Sequence, residues 1–191
     1  MIESSNYHHG NLREALLQAA LTLLDNEGIA SVGIRQVAKL VGVAHSAPAN
    51  HFKNKSALFT ALNIHIVSHL VDTIKNGLDV NEANLKIVIR NFTKSVLEYG
   101  LTYPNRYNVV WRRGYMLPES MEEIYQILVS LLQVYAKRKN IDVETQAIAL
   151  WSMIHGYVSL RLDGYLDAGK DEITGIERQI AIIDVIIDGI L

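Results

Sequence analysis

Cysteine is absent from this 191-residue chain, and its absence excludes several kinds of chemistry. Without it the protein has no disulfide framework, no thiol nucleophile and no thiolate metal site. Long apolar runs are also missing, because no stretch approaches the roughly 18 consecutive apolar residues of a membrane-spanning helix. The start of the chain, MIESSNYHHG, has neither a basic segment nor an apolar one, so no secretory signal is expected. These absences predict a cytoplasmic protein that does not contact a membrane.

Positive charge is scarce as well. The formal net charge is −2 at pH 7, which argues against a strong nucleic-acid binder. Residues 1–56 nevertheless hold five Lys or Arg against four Asp or Glu, whereas residues 57–191 hold thirteen against sixteen. The basic residues of the first part lie near the motif described below. If that part binds DNA, its affinity should fall steeply with salt.

Most of the chain has the pattern of helix. Apolar residues recur at a spacing of 3.6, and no segment alternates with period two for long enough to form a strand. Caps and stops divide this pattern into about nine helices, so the predicted fold class is all-α. The helices are expected at about 12–27, 34–41, 44–51, 55–75, 82–100, from Pro104, from Pro118, from 143 to the Gly164–Gly169 region, and from Asp171 to the end, with Asn54, Asn81 and Asp142 as N-caps.

The most specific local pattern is Ile-Arg-Gln-Val-Ala-Lys-Leu-Val-Gly-Val at residues 34–43, which has helix-turn-helix spacing. Ala38 is small enough for a second helix to cross closely against the first. Gly42, four residues later, can adopt the positive φ that reverses the chain. A domain of this kind places its second helix in the major groove of DNA.

Residues on both sides of this motif identify a family resemblance. Gly28 ends the first helix, and the tail His51-Phe52-Lys53-Asn54-Lys55 precedes a long apolar helix. This arrangement resembles the TetR-like family of transcriptional regulators. The segments Tyr-His-His-Gly-Asn-Leu-Arg-Glu-Ala-Leu-Leu-Gln-Ala-Ala at 7–20 and Trp-Ser-Met-Ile-His-Gly at 151–156 resemble a subgroup whose C-terminal domain carries a Trp-x-x-x-His-Gly motif.

The resemblance implies a homodimeric one-component transcription regulator, and it alone favours a repressor over an activator. Residues 1–54 would form the helix-turn-helix DNA-binding domain, and residues 55–191 a helical ligand-binding and dimerisation domain. The dimer would bind a pseudo-palindromic double-stranded DNA operator. An unidentified small-molecule effector would release the DNA by binding the two states unequally.

The third predicted helix supplies the candidates for reading sequence. His45, Ser46 and Asn50 are its polar side chains; Asn pairs bidentately with adenine, whereas His and Ser are less selective. Further side chains at the helix ends are expected to meet phosphates. These are Arg35, Gln36, His51, Lys53 and Lys55.

This segment also departs from its relatives. The family usually has Ser or Thr where Gly33 and Ala44 stand, and Tyr where Ala49 stands. Ala44 is a poor N-cap, at a cost of about 1 kcal/mol. Pro48 forfeits a backbone hydrogen bond unless it lies in the first turn of its helix. Weaker operator binding is the expected result.

A second apolar pattern lies near the C-terminus. Isoleucines at 173, 176, 180, 183, 187 and 190 follow heptad-like spacing, and the preceding helix is apolar over most of its circumference. A larger intramolecular core would explain this pattern, but a dimer through a four-helix bundle explains it better. The residues predicted to form the dimer are Trp151, Ile154, Val158, Ile176, Ile180, Ile183 and Ile187.

Aromatic and methionine side chains of the second part are candidates for an effector site. Such residues can line a ligand cavity, although the same set at helical spacing also suits a plain core. The predicted ligand-binding residues are Tyr107, Trp111, Tyr115, Met116 and Met153.

The histidines do not predict a metal or a catalytic site. His65 and His69 have zinc-like i, i+4 spacing, but no cysteine or nearby acid completes a site. His155 lacks an identifiable nucleophile or carboxylate partner. No cofactor and no enzymatic activity are therefore expected. Two alternatives stay open: a helical ligand-binding or interaction protein whose DNA-reading helix has decayed, and a helical enzyme that uses one of these histidines.

Overall fold

The computed structural model describes residues 12–79, 84–111, 118–139 and 142–190. Over these residues the protein is all-α, which confirms the predicted fold class. The described residues contain eight α-helices and two short 3-10 helices. These are α1 (Leu12–Glu27), a 3-10 helix (Ile29–Ser31), α2 (Ile34–Val41), a second 3-10 helix (Ala47–Asn50), α3 (Lys55–Gly77), α4 (Leu85–Thr102), α5 (Pro104–Trp111), α6 (Pro118–Lys139), α7 (Val143–Leu162) and α8 (Arg178–Ile190).

The first unit, which we call the head (residues 12–54), is built on α1. Leu16, Ala20 and Leu24 repeat at four-residue intervals and are completely buried. They form one core with Val37 of α2, and the same core continues into α3. The head is therefore joined to the rest of the protein by apolar packing along α1.

The turn of the helix-turn-helix has the predicted chemistry. Ala38 is fully buried, as a close helix crossing requires. Gly42 has φ +78°, in the left-handed region, and its N–H donates to the carbonyls of Ala38 and Lys39. A side chain at Gly42 would meet no neighbouring atom within 4 Å, so the backbone conformation rather than space demands glycine.

Helix α3 begins the second unit, which we call the body (residues 55–190). Its predicted N-cap, Asn54, accepts a hydrogen bond from the Ala57 N–H at 2.9 Å. The helix is long and apolar enough to cross a membrane, but more than half of its apolar stretch is buried inside the protein. It packs against α1, α4, α5 and α6, so its apolar character is explained by the core.

The body is arranged around α4, which packs against α3, α5, α6, α7 and α8. Ile89, Phe92 and Leu97 of α4 are completely buried. Two other predicted helix starts are confirmed: Pro104 opens α5, and Asp142 caps α7 by accepting from the Thr145 N–H at 2.9 Å.

Three predicted boundaries are wrong. The third helix is only a 3-10 helix from Ala47 to Asn50, for reasons given below. The N-cap of α4 is Asn84, since its side chain accepts from the Lys86 N–H; the predicted cap, Asn81, lies outside the described residues. The last helix begins at Arg178, because Asp171 closes a tight turn by accepting from the N–H groups of Ile173 and Thr174.

Glycines in α4 and α7 have opposite roles. A Cβ on Gly156 would meet nothing within 4 Å, so this residue does not mark a close helix approach. A Cβ on Gly100 would lie 2.7 Å from Val158 Cγ1 and 3.0 Å from Tyr107 Cδ2. The close approach between α4 and α7 is therefore at Gly100.

We expect Gly100→Ala to lower the free energy of unfolding by about 1–3 kcal/mol, because the added methyl overpacks this contact. The matched control, Gly156→Ala, should raise it by about 0.5–1 kcal/mol, since it removes a flexible glycine from a helix interior without a clash. Urea unfolding at one protein concentration measures both. Equal effects of the two substitutions would contradict the assignment of the close contact to Gly100.

Candidate functional site

The segment between α2 and α3 is a turn followed by a 3-10 helix. Hydrogen bonds run from Ala47 N to Ala44 O (2.9 Å), from Ala49 N to Ser46 O (3.2 Å) and from His51 N to Pro48 O (2.9 Å). This i to i+3 pattern makes the segment a tight 3-10 helix instead of an α-helix. Pro48 is the second residue of that helix, where its missing N–H costs nothing.

This conformation presents the predicted DNA-reading residues on the surface. Pro48 and Phe52 are buried and anchor the segment to the head. The side chains of His45, Ser46, Asn50 and His51 are all exposed. The segment, which we call the recognition segment (residues 44–51), therefore offers two imidazoles, a hydroxyl and an amide on a short, firmly anchored turn.

The predicted phosphate contacts lie on both sides of it. Arg35 near the start of α2, and Lys53 and Lys55 before and at the start of α3, are exposed. The ammonium of Lys55 is 5.4 Å from the centre of the Phe59 ring, so this side chain lies along its own helix. Lys53 has no such contact with a ring among the described residues.

Gln36 has a local role that the sequence did not reveal. Its side-chain oxygen lies 2.6 Å from the position a Cβ would occupy on Gly33, the N-cap of α2. The Gln36 side chain thus folds back over the start of the helix, as the third residue of a capping box does.

Arg13 is a basic residue that the sequence pattern does not mark as part of the site. Its guanidinium lies 5.5 Å from the centre of the Phe52 ring. It lines an open groove of about 470 Å³ together with His51, Asn54 and Ser56. In the sequence Arg13 is a single arginine in the first turn of α1. Its spacing from the recognition segment gives no indication that the two lie close together.

In the body, two of the predicted ligand-binding residues meet in an aromatic cluster. The rings of Tyr107 and Trp111 on α5 pack against Trp151 and His155 on α7, with centroid separations of 4.3–5.9 Å. We call these four residues the aromatic cluster. The Tyr107 hydroxyl is hydrogen-bonded to His155 Nδ1. Burial lowers the pKa of His155 to about 4 and raises that of Tyr107, so both groups are neutral at pH 7.

The other predicted ligand-binding residues are not part of this cluster. Tyr115 and Met116 lie outside the described residues. Met153 is 42% exposed on the outer surface of α7. Within the cluster, Trp111 Nε1 is buried and has no hydrogen-bond partner among the described residues.

Four of the residues predicted to form the dimer are already buried within one chain. Ile154, Val158, Ile183 and Ile187 are at most 4% exposed in a single chain. Because their side chains are already buried in the core of the protomer, a second copy can remove almost no further surface from water. Trp151 and Ile180 are half-buried, and Ile176 is exposed but precedes α8.

Other apolar side chains form the exposed surface of this region. Eleven large apolar residues are exposed among those the structure describes, and eight of them lie between residues 148 and 185. These eight, the C-terminal apolar patch, are Ile148, Met153, Leu160, Tyr165, Leu166, Ile173, Ile176 and Val185.

The two histidines of α3 are His65 and His69, about one helical turn apart. No group of three His, Asp or Glu side chains suited to a metal ion occurs within the described ranges. His69 Nδ1 lies 3.2 Å from the Tyr99 hydroxyl and 3.4 Å from Arg106 Nη1. Burial, Arg106 and His65 lower the pKa of His69, which keeps its ring neutral beside that arginine.

Comparison with known proteins now identifies the family. Residues 16–62 match the family model described as bacterial regulatory proteins, tetR family, and residues 89–183 match the tetracyclin repressor-like C-terminal domain. The chain is 26% identical over 160 residues to the uncharacterized HTH-type transcriptional regulator Rv0681 of Mycobacterium tuberculosis, covering 81% of this chain and 72% of the relative. It is 26% identical over 78 residues to the HTH-type transcriptional regulator BetI of Yersinia pestis, 39% of each chain.

Solved structures show the same fold. A protein with unknown function from Rhodococcus sp. RHA1 matches with a TM-score of 0.81 and 20% identity, over 98% of this chain and 97% of that one. A TetR variant from Acinetobacter baumannii AYE, in complex with minocycline, matches with a TM-score of 0.62 and 19% identity, over 91% and 93%. The subgroup with the Trp-x-x-x-His-Gly motif stays a prediction. The two family models together span most of the chain, which therefore belongs to the TetR family of transcription regulators and carries their helix-turn-helix DNA-binding domain.

Proposed function

We propose that this regulator is a cytoplasmic homodimeric repressor that binds a pseudo-palindromic operator and leaves it when a small-molecule effector binds the body. The observation that carries the proposal is the exposed recognition segment, which holds His45, Ser46 and Asn50 and is flanked by cationic side chains. Base contacts would come from this segment, and phosphate contacts from Arg35, Gln36, His51, Lys53 and Lys55. The boundary between the DNA-binding and the effector domains is proposed at residues 54/55.

The dimer in this proposal forms through the C-terminal apolar patch. Large apolar side chains that a single chain leaves exposed can become buried at an interface between two copies. Val185 on α8 is 70% exposed, and Ile148 and Leu160 on α7 are about half exposed. A two-fold dimer brings two recognition segments to two half-sites of an operator.

The effector in this proposal binds beside the aromatic cluster. Tyr107 and His155 are both neutral there, so the surroundings disfavour a buried charge. The flat faces of the rings suit a planar apolar ligand. Trp111 Nε1, which has no partner within the described ranges, suits a ligand that also carries a hydrogen-bond acceptor. The Acinetobacter baumannii structure, in complex with minocycline, is an example of a protein of this fold that holds a small molecule.

Selection from a random DNA duplex library tests the proposal. The parent protein should select a two-fold symmetric consensus. His45→Ala should change the preferred bases at the positions that His45 reads and lower the free energy of discrimination there by about 1–3 kcal/mol. Lys53→Ala should weaken binding to all sequences alike and reduce the slope of log affinity against log salt concentration by about one unit. Lys94→Ala removes an exposed lysine from α4 and is the matched control, which should leave both quantities unchanged.

Two results would contradict this assignment. An unchanged consensus for His45→Ala, with a changed one for Asn50→Ala, would move the reading of bases to the end of the recognition segment. Absence of any consensus for the parent protein would favour a ligand-binding protein whose DNA-reading helix has decayed. The 3-10 conformation of that segment, together with Ala44 and Ala49, is the observation that favours this second function.

A further inference from the structure

A bidentate ion pair joins the head to the body. Arg106 on α5 donates from Nη2 to Asp25 Oδ2 at 2.6 Å and from Nε to Asp25 Oδ1 at 2.9 Å. The two residues are 81 positions apart in the chain. Their side chains are only 12% and 29% exposed, respectively, which makes this the most buried of the ion pairs found in the described residues. Two parallel N–H···O bonds define direction as well as distance.

The end of α1 is unfavourable by itself and depends on this contact. Its last turn carries the carboxylates of Asp25 and Glu27 and no basic residue. Negative charge at a helix C-terminus adds to the negative end of the helix dipole. Arg106 supplies the missing cation from a distant part of the chain. Asn105, its neighbour on α5, donates from Nδ2 to the Asp25 carbonyl at 3.3 Å and so satisfies part of the helix end.

The arginine is held in place by the body on its other sides. Its guanidinium lies 4.2 Å from the centre of the Tyr103 ring. His69 Nδ1 on α3 is 3.4 Å from Arg106 Nη1, and the Tyr99 hydroxyl donates to the Ile66 carbonyl at 3.2 Å. The pKa of His69 is lowered, chiefly by burial, so its neutral ring does not repel the guanidinium. Arg106 is therefore held by Tyr103 and by His69 of α3, with its guanidinium directed at a single carboxylate of the head.

We infer that Asp25 and Arg106 are a positioning pair that sets the orientation of the head relative to the body, and through it the spacing of the two recognition segments. The inference rests on the proposed function, because the spacing matters only for a dimer on DNA. Arg106 touches no DNA in this account and acts through α1.

The physical reason is the difference between the two kinds of contact at this junction. Apolar packing of α1 on α3 holds the head to the body, but the hydrophobic effect is non-directional and tolerates small rotations. A bidentate guanidinium–carboxylate pair permits only much smaller rotations, because both hydrogen bonds must stay aligned. The pair lies at the C-terminal end of α1, so its loss would let the head rotate while the core stayed formed.

Electron–electron double resonance measures this orientation directly. The chain has no cysteine, so Gln18→Cys on α1 and Ser130→Cys on α6, both at exposed positions, give one spin label in each part. Labelled protein diluted in unlabelled protein reports distances within a single chain. Arg106→Gln and Asp25→Asn should each broaden or shift the distance distribution, while circular dichroism shows unchanged helix content.

Arg90→Gln is the matched control. Arg90 forms a similar pair with Asp184 at 2.6 Å, but that pair joins α4 to α8 inside the body. It should leave the head-to-body distance unchanged. The Asp25→Asn/Arg106→Gln double variant should resemble either single variant, because each removes the same interaction. Unchanged distances in both single variants, or additive effects in the double variant, would overturn the inference.

Operator binding provides a second readout. Arg106→Gln should lower affinity for an operator of native half-site spacing by about fivefold to tenfold. The variant should lose less affinity than the parent when the spacing is altered, and it should select the same half-site sequence. Arg106→Lys keeps the positive charge but cannot form the bidentate contact, so its operator affinity should lie between those of the parent and Arg106→Gln. If the parent protein selects no operator, the proposed function fails, while the distance measurement still tests the positioning pair. If the parent protein binds DNA and Arg106→Gln keeps the same preference for half-site spacing, the positioning pair is contradicted while the proposed function stands.

Discussion

Val185→Glu is expected to convert the protein to a folded monomer and to lower operator affinity by about 100-fold or more. Val185 is 70% exposed in the single chain, so the substitution disturbs nothing within the protomer. In the proposed dimer the same position is desolvated, and an unpaired carboxylate there costs about 3–5 kcal/mol. Two half-sites would then be bound independently, and the gain in affinity from linking them would be lost. Sedimentation velocity and operator titration measure the two effects.

Two controls separate this result from simple destabilisation. Ile64→Glu changes an exposed isoleucine of α3 outside the C-terminal apolar patch and should leave the dimer intact. Ile183→Glu places a charge at a side chain only 2% exposed and should unfold the chain instead of dissociating a dimer. A Val185→Glu protein that still sediments as a dimer would show that the interface lies elsewhere.

Acidification from pH 6.5 to 4 is expected to remove about 2 kcal/mol of stability through His155. Burial lowers the folded-state pKa of this histidine to about 4, against 6.5 for the ordinary side chain. The unfolded chain therefore binds the proton first as the pH falls, and protonation favours unfolding throughout this interval. The full shift corresponds to about 3 kcal/mol, which the partial exposure of the ring reduces to about 2 kcal/mol. Above pH 6.5 this contribution is constant.

His155→Gln isolates the contribution, since glutamine does not titrate but can still accept a hydrogen bond from Tyr107. We expect its unfolding free energy to be lower than that of the parent at pH 7, and the difference to shrink as the pH approaches 4. Urea unfolding across this range gives both curves. Parallel curves for the parent and His155→Gln would mean that His155 is not held neutral by burial.

Local chemistry in the sequence was sufficient for most of the helices. Asn54 and Asp142 cap α3 and α7 as expected, and Pro104 and Pro118 open α5 and α6. These signals act within one turn of helix, so the residues that determine them are neighbours in the chain. The prediction of an α-helix for the third helix was wrong, and the reason is also local. Pro48 and its neighbours favour i to i+3 bonding locally, and the family pattern masked that preference.

The candidate site was predictable only in part. The exposed residues of the recognition segment follow from the helix-turn-helix spacing, since a turn of defined geometry must present what lies on it. Arg13 was missed because its approach to Phe52 joins residues 39 positions apart. The apolar pattern of α7 and α8 likewise predicted that these helices are buried on more than one side, but it could not show which sides face the protomer core.

The sequence by itself therefore determined the all-α class, the helix-turn-helix and its turn glycine, because these depend on interactions over a few residues. Only the tertiary structure decided that Ile183 is core while Val185 is surface, that the tight glycine is Gly100 and not Gly156, and that Arg106 completes the end of α1. Each of these depends on which helix packs against which, and at what angle. Side chains separated by tens of residues in the chain meet only after that packing is established, so no local pattern contains them.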